Sequence, residues 1–252
     1  MNDHSASSAH GSAKAEIARA ATPRVAADRS RHNGHGPVPA EATPAPASAG
    51  RITDATCRAV DLVVGIALVV VLAPLMVLVA IAIKLDSPGP VLFRQRRVGR
   101  DQQPFTVTKF RTMHDGADHQ IHRDHMMRLI QGNGPAPKLV ADDRVTRLGR
   151  FLRRTSIDEV PQLWNVLRGD MSLVGPRPPI PYEVSNYPPH WFERFRVKPG
   201  ITGLWQVSGR SQVSLDEMVR MDVEYVHRRS ARLNLWILVR TVPAVLSTRG
   251  AG

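Results

Sequence analysis

The chain has 252 residues, enough for one domain with appendages, and its 34 Lys and Arg against 22 Asp and Glu give a net charge of +12. That balance calls for an anionic partner: nucleic acid, lipid headgroups or phosphorylated substrates. A single cysteine, Cys57, excludes an intramolecular disulfide and a thiol-only metal site.

Residues 1–50 are dominated by Ala, Ser, Pro, Gly and His. They bury too little apolar surface to offset their ordering entropy, so a disordered tail is expected. Its histidines, His4, His10, His32 and His35, are irregularly spaced and read as solvated rather than metal-binding.

Residues 51–61 lead as a helix, with Thr53 or Asp54 as caps, into the uncharged 22-residue run Leu62–Ile83. At 1.5 Å per residue the run could cross a hydrocarbon core of about 30 Å. It lies too far along the chain for a cleaved signal peptide. Pro74 interrupts it, removing a backbone donor and clashing with the preceding turn. Arg51 and Arg58 precede the run, and Lys84, Arg94, Arg96, Arg97 and Arg100 follow it, so a single span has no positive-inside preference. A hairpin broken at Pro74, with arms of 12 and 10 residues reaching about 15–18 Å each, puts both flanks on one side.

Ser87-Pro88-Gly89-Pro90 stops the helix. Val91–Phe93 and Phe105–Met113 read as strands around a turn containing Gly99 and Asp101. Strand alternation places Lys109 and Arg111 on one face about 7 Å apart, where they could straddle a diphosphate or simply charge an edge strand. The histidines at 114, 119, 122 and 125 mix with Asp and Arg in a pattern that suits a surface helix better than a metal site. Asp142-Asp143 reads as a turn.

Ser156-Ile-Asp-Glu159 fits a capping box opening a helix that buries Leu163, Trp164, Val166 and Leu167 and ends at Gly169. Capping does not account for adjacent Asp158 and Glu159 lying among Arg153, Arg154 and Arg177. An ionised aspartate can attack phosphorus, and paired carboxylates can hold Mg²⁺ over a pyrophosphate while arginines neutralise its oxygens. Prolines on both sides stiffen the loop carrying Arg177. Trp191, Phe192 and Phe195, interleaved with Arg194, Arg196 and Lys198, suit a membrane interface or a nucleic-acid surface. A turn-rich stretch around Trp205 and Arg210 precedes a second capping box, Ser214 to Glu217, which opens a helix through Val226. The closing LNLWILVRTVPAVL is too short to span and should lie in the interface or on the core.

From about Arg51 to Leu246 the chain resembles the bacterial sugar transferases, monotopic polyprenyl-phosphate hexose-1-phosphate transferases that begin exopolysaccharide and glycoconjugate assembly. The resemblance rests on KFRTM (Lys109–Met113), the Asp158-Glu159 pair running into PQLWNVLRGDMSLVGPRP (to Pro178), and VKPGITGLWQVSGR (Val197–Arg210). It implies an α+β, mostly helical fold: a re-entrant helix hairpin over 51–85, a small catalytic domain over 86–252 on the cytoplasmic face of the inner membrane, and interfacial amphipathic helices. It implies transfer of a hexose-1-phosphate from a UDP-sugar to polyprenyl phosphate with release of UMP. Asp158 would be the nucleophile and the Mg²⁺ contact. Glu159 would assist proton removal or support the metal, and Lys109, Arg111, Arg153, Arg177 and Arg210 would meet phosphate or nucleotide. Implied partners are the UDP-sugar, polyprenyl phosphate, membrane lipids and downstream glycosyltransferases, not nucleic acid. The family breaks its first helix at a Ser-Pro pair, which here is Ala73-Pro74. Two competing readings are a membrane-tethered basic protein holding an anionic polymer, and a metal-dependent glycosyltransferase using Asp142 and Asp143.

Overall fold

A computed structural model describes residues 47–116, 120–130, 143–208 and 213–246. The expected tail (save residues 47–50), His119, Asp142 and Arg210 lie outside the described residues.

Helix α1, Ala47–Asp86, runs as one element through Pro74. The structure therefore does not show the two separate arms expected from the sequence. A helix can absorb the lost bond and ring clash of one proline by bending when packing supports both flanks. That support is continuous. Cys57, Asp61, Val64, Leu68, Leu72, Leu75, Val79 and Ile83, spaced by three or four, all face the rest of the protein. On the opposite side Val63, Ile66, Val70, Val77, Leu78 and Ile81 are exposed, and only 11% of the most apolar window is buried.

Polar contacts pin the N-terminal half of α1. Asp54 accepts from Arg100 (3.0 Å) and Arg229, so it ties the helix down instead of capping it. Arg58 donates to the carbonyls of Val166 (2.6 Å) and Leu167 (2.8 Å), and Asp61 accepts from Ser172 Oγ and Leu173 N, both at 2.9 Å.

Strands β1 (Leu92–Val98) and β2 (Pro104–Phe110) form an antiparallel hairpin pairing Phe93 with Lys109 and Arg97 with Phe105. Its turn holds Asp101 and Gln102 at positive φ, 51° and 60°. Helix α2 (Gln120–Ile130) follows, then α3 (Arg147–Thr155), a 3₁₀ segment (Ile157–Gln162) and α4 (Leu163–Arg168). Leu163 and Val166 of α4 are buried, but Trp164 faces outward, since six residues cannot hide all four apolar side chains.

A short parallel pair joins β3 (Ser172–Val174) to β4 (Gly200–Thr202). Here glycine is required by close approach. A Cβ on Gly175 would lie 2.4 Å from Lys198 O, on Gly200 2.1 Å from Gly175 N, and on Gly203 2.6 Å from Gly175 O.

Between the two strands lie α5 (Pro181–Val184) and a 3₁₀ segment (Pro189–Arg196). Trp191 and Phe195, expected at an interface, are buried with Tyr187, Val98 and Val219. Burial of their rings outweighs the charges interleaved with them, because Arg194 points inward to a buried partner, Asp222.

After α6 (Leu204–Ser208), helix α7 (Leu215–Arg228) carries the expected capping box, with reciprocal Ser214 and Glu217 bonds. It runs two residues beyond the expected end at Val226. Helix α8 (Ala231–Leu246) packs Ile237 and Asn234 inward and exposes Leu235, Trp236, Val239 and Val242. The Arg240 guanidinium lies 5.3 Å from the Trp236 ring centre. Exposed Phe151 of α3 and Trp164 of α4 belong to elements that, like α8, pack on α1.

Candidate active site

The second carboxylate pair of the sequence argument takes shape where α3 ends. Ser156 adopts left-handed backbone (φ 58°, ψ 14°) and its N–H donates to Arg153 O at 3.1 Å, so it terminates α3. Its side chain caps nothing, and the expected capping box does not form. The reversal frees Glu159, whose Oε1 instead accepts from Lys109 Nζ at 2.5 Å. That ion pair clips the 3₁₀ segment to the end of β2 and is partly open to solvent.

Asp158, one residue earlier, points inward and is only 9% exposed. Burial first, and then the neighbouring charge of Glu159, push its pKa up to about 6, against the pull of Lys109 and Arg153. Arg153 is oriented by donation from Nε to Thr112 Oγ1 at 2.9 Å. Thr112 is in turn held by α3: a Cβ on Gly149 would sit 2.0 Å from Thr112 O. The fold thus assembles Asp158, Glu159, Lys109 and Arg153 from β2, α3 and the 3₁₀ segment.

Arg111 goes elsewhere. Strand β2 ends at Phe110, and the buried guanidinium of Arg111 donates to Ser87 O (2.7 Å), Ser87 Oγ (2.9 Å) and Pro88 O (2.8 Å). It satisfies carbonyls at the C-terminal end of α1 from just beyond the strand end at Phe110, whereas the sequence places it on a continuous strand with Lys109.

The Arg177 loop is held from both sides. Arg97 Nη1 donates to Pro178 O (2.9 Å), and Val98 N to Pro179 O (2.9 Å). Arg194 Nη2 donates to Arg177 O (2.9 Å) and to the buried Asp222 carboxylate (2.5 Å). Arg97 feels the charges of both Arg177 and Glu159, which links this loop electrostatically to the carboxylates. Sequence reasoning passed over Arg97 as one of four clustered arginines. Strand alternation carried the signal: Phe93, Gln95 and Arg97 turn inward while Leu92, Arg94 and Arg96 face solvent.

The profile of the family described as "Bacterial sugar transferase" matches residues 52–248. The chain belongs to the bacterial sugar transferase family. Its matched region contains both carboxylates and all the cations above. Over 77% of its length this family member is 45% identical to the UDP-glucose:undecaprenyl-phosphate glucose-1-phosphate transferase of Caulobacter vibrioides, covering 71% of that protein. It is 38% identical over 77% of its length to the exopolysaccharide production protein ExoY of Sinorhizobium fredii, covering 87% of it. It is also 38% identical over 77% of its length to the undecaprenyl-phosphate galactose phosphotransferase of Salmonella typhimurium, where it spans 41% of the relative.

Among the described residues no three His, Cys, Asp or Glu side chains converge on one point. Among the described residues, Asp158 and Glu159 are the carboxylates that would hold a divalent ion here. That donor set fits Mg²⁺, which commonly takes one or two carboxylates and completes its shell with water and substrate phosphates.

Proposed function

We propose that the chain transfers a hexose-1-phosphate from a UDP-sugar to polyprenyl (undecaprenyl) phosphate, releasing UMP, as the first step of exopolysaccharide or glycoconjugate assembly. The observation that carries the reading is the inward-facing Asp158 beside the Lys109–Glu159 pair, within a family whose relatives bear sugar-phosphate transferase names. With a pKa near 6, Asp158 is mostly ionised at neutral pH, yet desolvation keeps the carboxylate poorly stabilised and reactive.

In the first step an Asp158 carboxylate oxygen attacks the sugar-bearing phosphorus. The bond from that phosphorus to the bridging oxygen breaks, and its electron pair leaves with UMP. In the second step an oxygen of polyprenyl phosphate attacks the same phosphorus, the aspartyl–phosphorus bond breaks, and Asp158 is regenerated. Lys109 holds Glu159 in place beside the reaction, where its carboxylate can take a proton from the lipid phosphate. Mg²⁺ held by Asp158, with Glu159 in support, would neutralise diphosphate charge. Arg153 and Arg177 supply fixed positive charge. The product, a membrane-held diphosphate-linked sugar, is a substrate for downstream glycosyltransferases.

We also infer that α1 re-enters rather than spans. One and the same domain grips it from Asp54 to the turn at Ser87, and α3, α4 and α8, which pack on it, also expose apolar side chains. A helix lying on its own domain over that length fits a catalytic unit seated at the cytoplasmic face of the inner membrane, with lipid against the outward stripe.

The test is incubation with a panel of UDP-sugars, polyprenyl phosphate and Mg²⁺, reading UMP release and lipid-linked product, with mass spectrometry of peptide 157–168 after UDP-sugar alone. A phosphosugar adduct on Asp158 is expected. Lipid-linked sugar formed at the parent rate by Asp158→Asn overturns the covalent route.

A further inference from the structure

Arg97 is 8% exposed and carries no ion pair with a described residue. Its Nε and Nη2 donate to Gln95 Oε1 at 3.0 and 2.6 Å, and Nη1 to Pro178 O at 2.9 Å. Both acceptors are neutral. A guanidinium has five N–H donors, so these bonds orient the fork and leave two directions unfilled. The charges that act on it are those of another cation, Arg177, and of Glu183 and Glu159, with the Tyr182 phenol contributing as well. Glu183 is itself buried and accepts from Tyr187 Oη at 3.2 Å. Desolvation and the facing Arg177 hold the Arg97 pKa down to about 10, the mark of a cation lacking a matched anion. The Tyr182 hydroxyl is buried without a hydrogen-bond partner among the described residues, and it feels the charge of both arginines.

Burial of the Arg97 guanidinium, its repulsion from the partly exposed Arg177 and an unpaired hydroxyl donor all raise the energy of the fold. An anion placed between these groups removes all three penalties together. Lys109 and Arg153 are the cations that act on Asp158; Arg97 and Arg177 are not among its leading neighbours. In phosphoryl transfer the nucleophile and leaving oxygen lie on opposite sides of phosphorus. A diphosphate substrate has two phosphates to hold, and the second pair of cations is available to the one that departs.

We propose that Arg97, with Arg177 and the Tyr182 hydroxyl, forms the subsite for the phosphate that leaves as UMP. This rests on the transferase reading. Arg97 is then a binding residue for the leaving group, taking up the charge that develops on the bridging oxygen as its bond to the transferred phosphorus breaks. Its bond to Pro178 O sets the Arg177 loop at the same time.

The experiment is calorimetric titration of the full-length, detergent-solubilised chain with UMP and, separately, inorganic pyrophosphate. UMP affinity is expected to fall at least tenfold in Arg97→Gln and less in Arg97→Lys, which keeps the charge but loses the planar fork. Tyr182→Phe should lose a few-fold, as for one hydrogen bond. The UMP-induced rise in melting temperature should shrink in the same order, a shift that loss of a merely structural bond would leave intact. Parent-like UMP affinity in both Arg97 variants overturns the subsite, whatever happens to turnover. So does a parent chain that binds neither UMP nor pyrophosphate. Failure of the transferase reading looks different: no UMP is released from any UDP-sugar, while Arg97-dependent pyrophosphate binding persists and supports the anion site.

Discussion

Lys109 Nζ sits 2.5 Å from Glu159 Oε1 and makes no such bond to Asp158, one residue away. The Lys109 ammonium therefore stabilises one carboxylate of the pair directly and the other only at a distance. Their environments diverge, with Glu159 partly open and paired while Asp158 is buried. Adjacent carboxylates are thus prepared for different duties.

Turnover should follow the ionisation of Asp158. Below pH 6 the rate with UDP-sugar alone, read as adduct formation, is expected to fall tenfold per pH unit. The same shift acts on stability with the opposite sense. The pKa is raised on folding, so the group's penalty is absent below about pH 4, grows as pH rises and is complete above about pH 6. Asp158→Asn should accordingly be more stable than the parent at pH 8, by up to about 3 kcal/mol for a shift of roughly two units, and equal to it near pH 3.5. Denaturant titrations at the two pH values check this.

Arg111→Met is expected to destabilise the fold by about 2–4 kcal/mol, since it strands the carbonyls of Ser87 and Pro88 and the Ser87 hydroxyl. The KM for UDP-sugar of the folded fraction should stay within about twofold of the parent, because the guanidinium serves the end of α1. A large rise in KM with unchanged melting temperature would restore Arg111 to the phosphate site.

Gly200→Ala should cost about 3 kcal/mol or more, since its new methyl would meet Gly175 N at 2.1 Å and force β3 from β4. Urea unfolding monitored by tryptophan fluorescence measures the loss. Activity should fall with it, because Gly175 leads directly into the Arg177 loop.

Single-cysteine labels at residue 100 and in the N-terminal tail, with Cys57 replaced, should both react only from the cytoplasmic side of intact cells. Labelling of the tail from the outside would make α1 a span.

Much of this was legible in local pattern. The apolar run, the capping box of α7, the hairpin turn near Asp101 and the Asp158-Glu159 pair each depend on neighbours within a few residues, and each appears in the structure. Where local rules competed, the sequence misled. Ser156 had the chemistry of an N-cap, but the end of α3 claimed its backbone. Trp191 and Phe195 had the composition of an interface, but a buried Arg194–Asp222 pair drew their segment inward.

What the sequence determined by itself was the kind of chemistry: carboxylates among arginines, behind a segment apolar enough for lipid, in three motifs of one family. Only the tertiary structure decided which cation serves which task. Arg111 and Lys109 are two residues apart, yet one secures the end of α1 and the other holds Glu159. Arg97, unremarked in a run of arginines, meets the Arg177 loop 81 residues away. Charges are assigned by what lies across from them in space. Those partners are brought close by the burial of apolar faces and by glycines that let β3 and β4 touch, and neither leaves a signature in the spacing of the charged residues themselves.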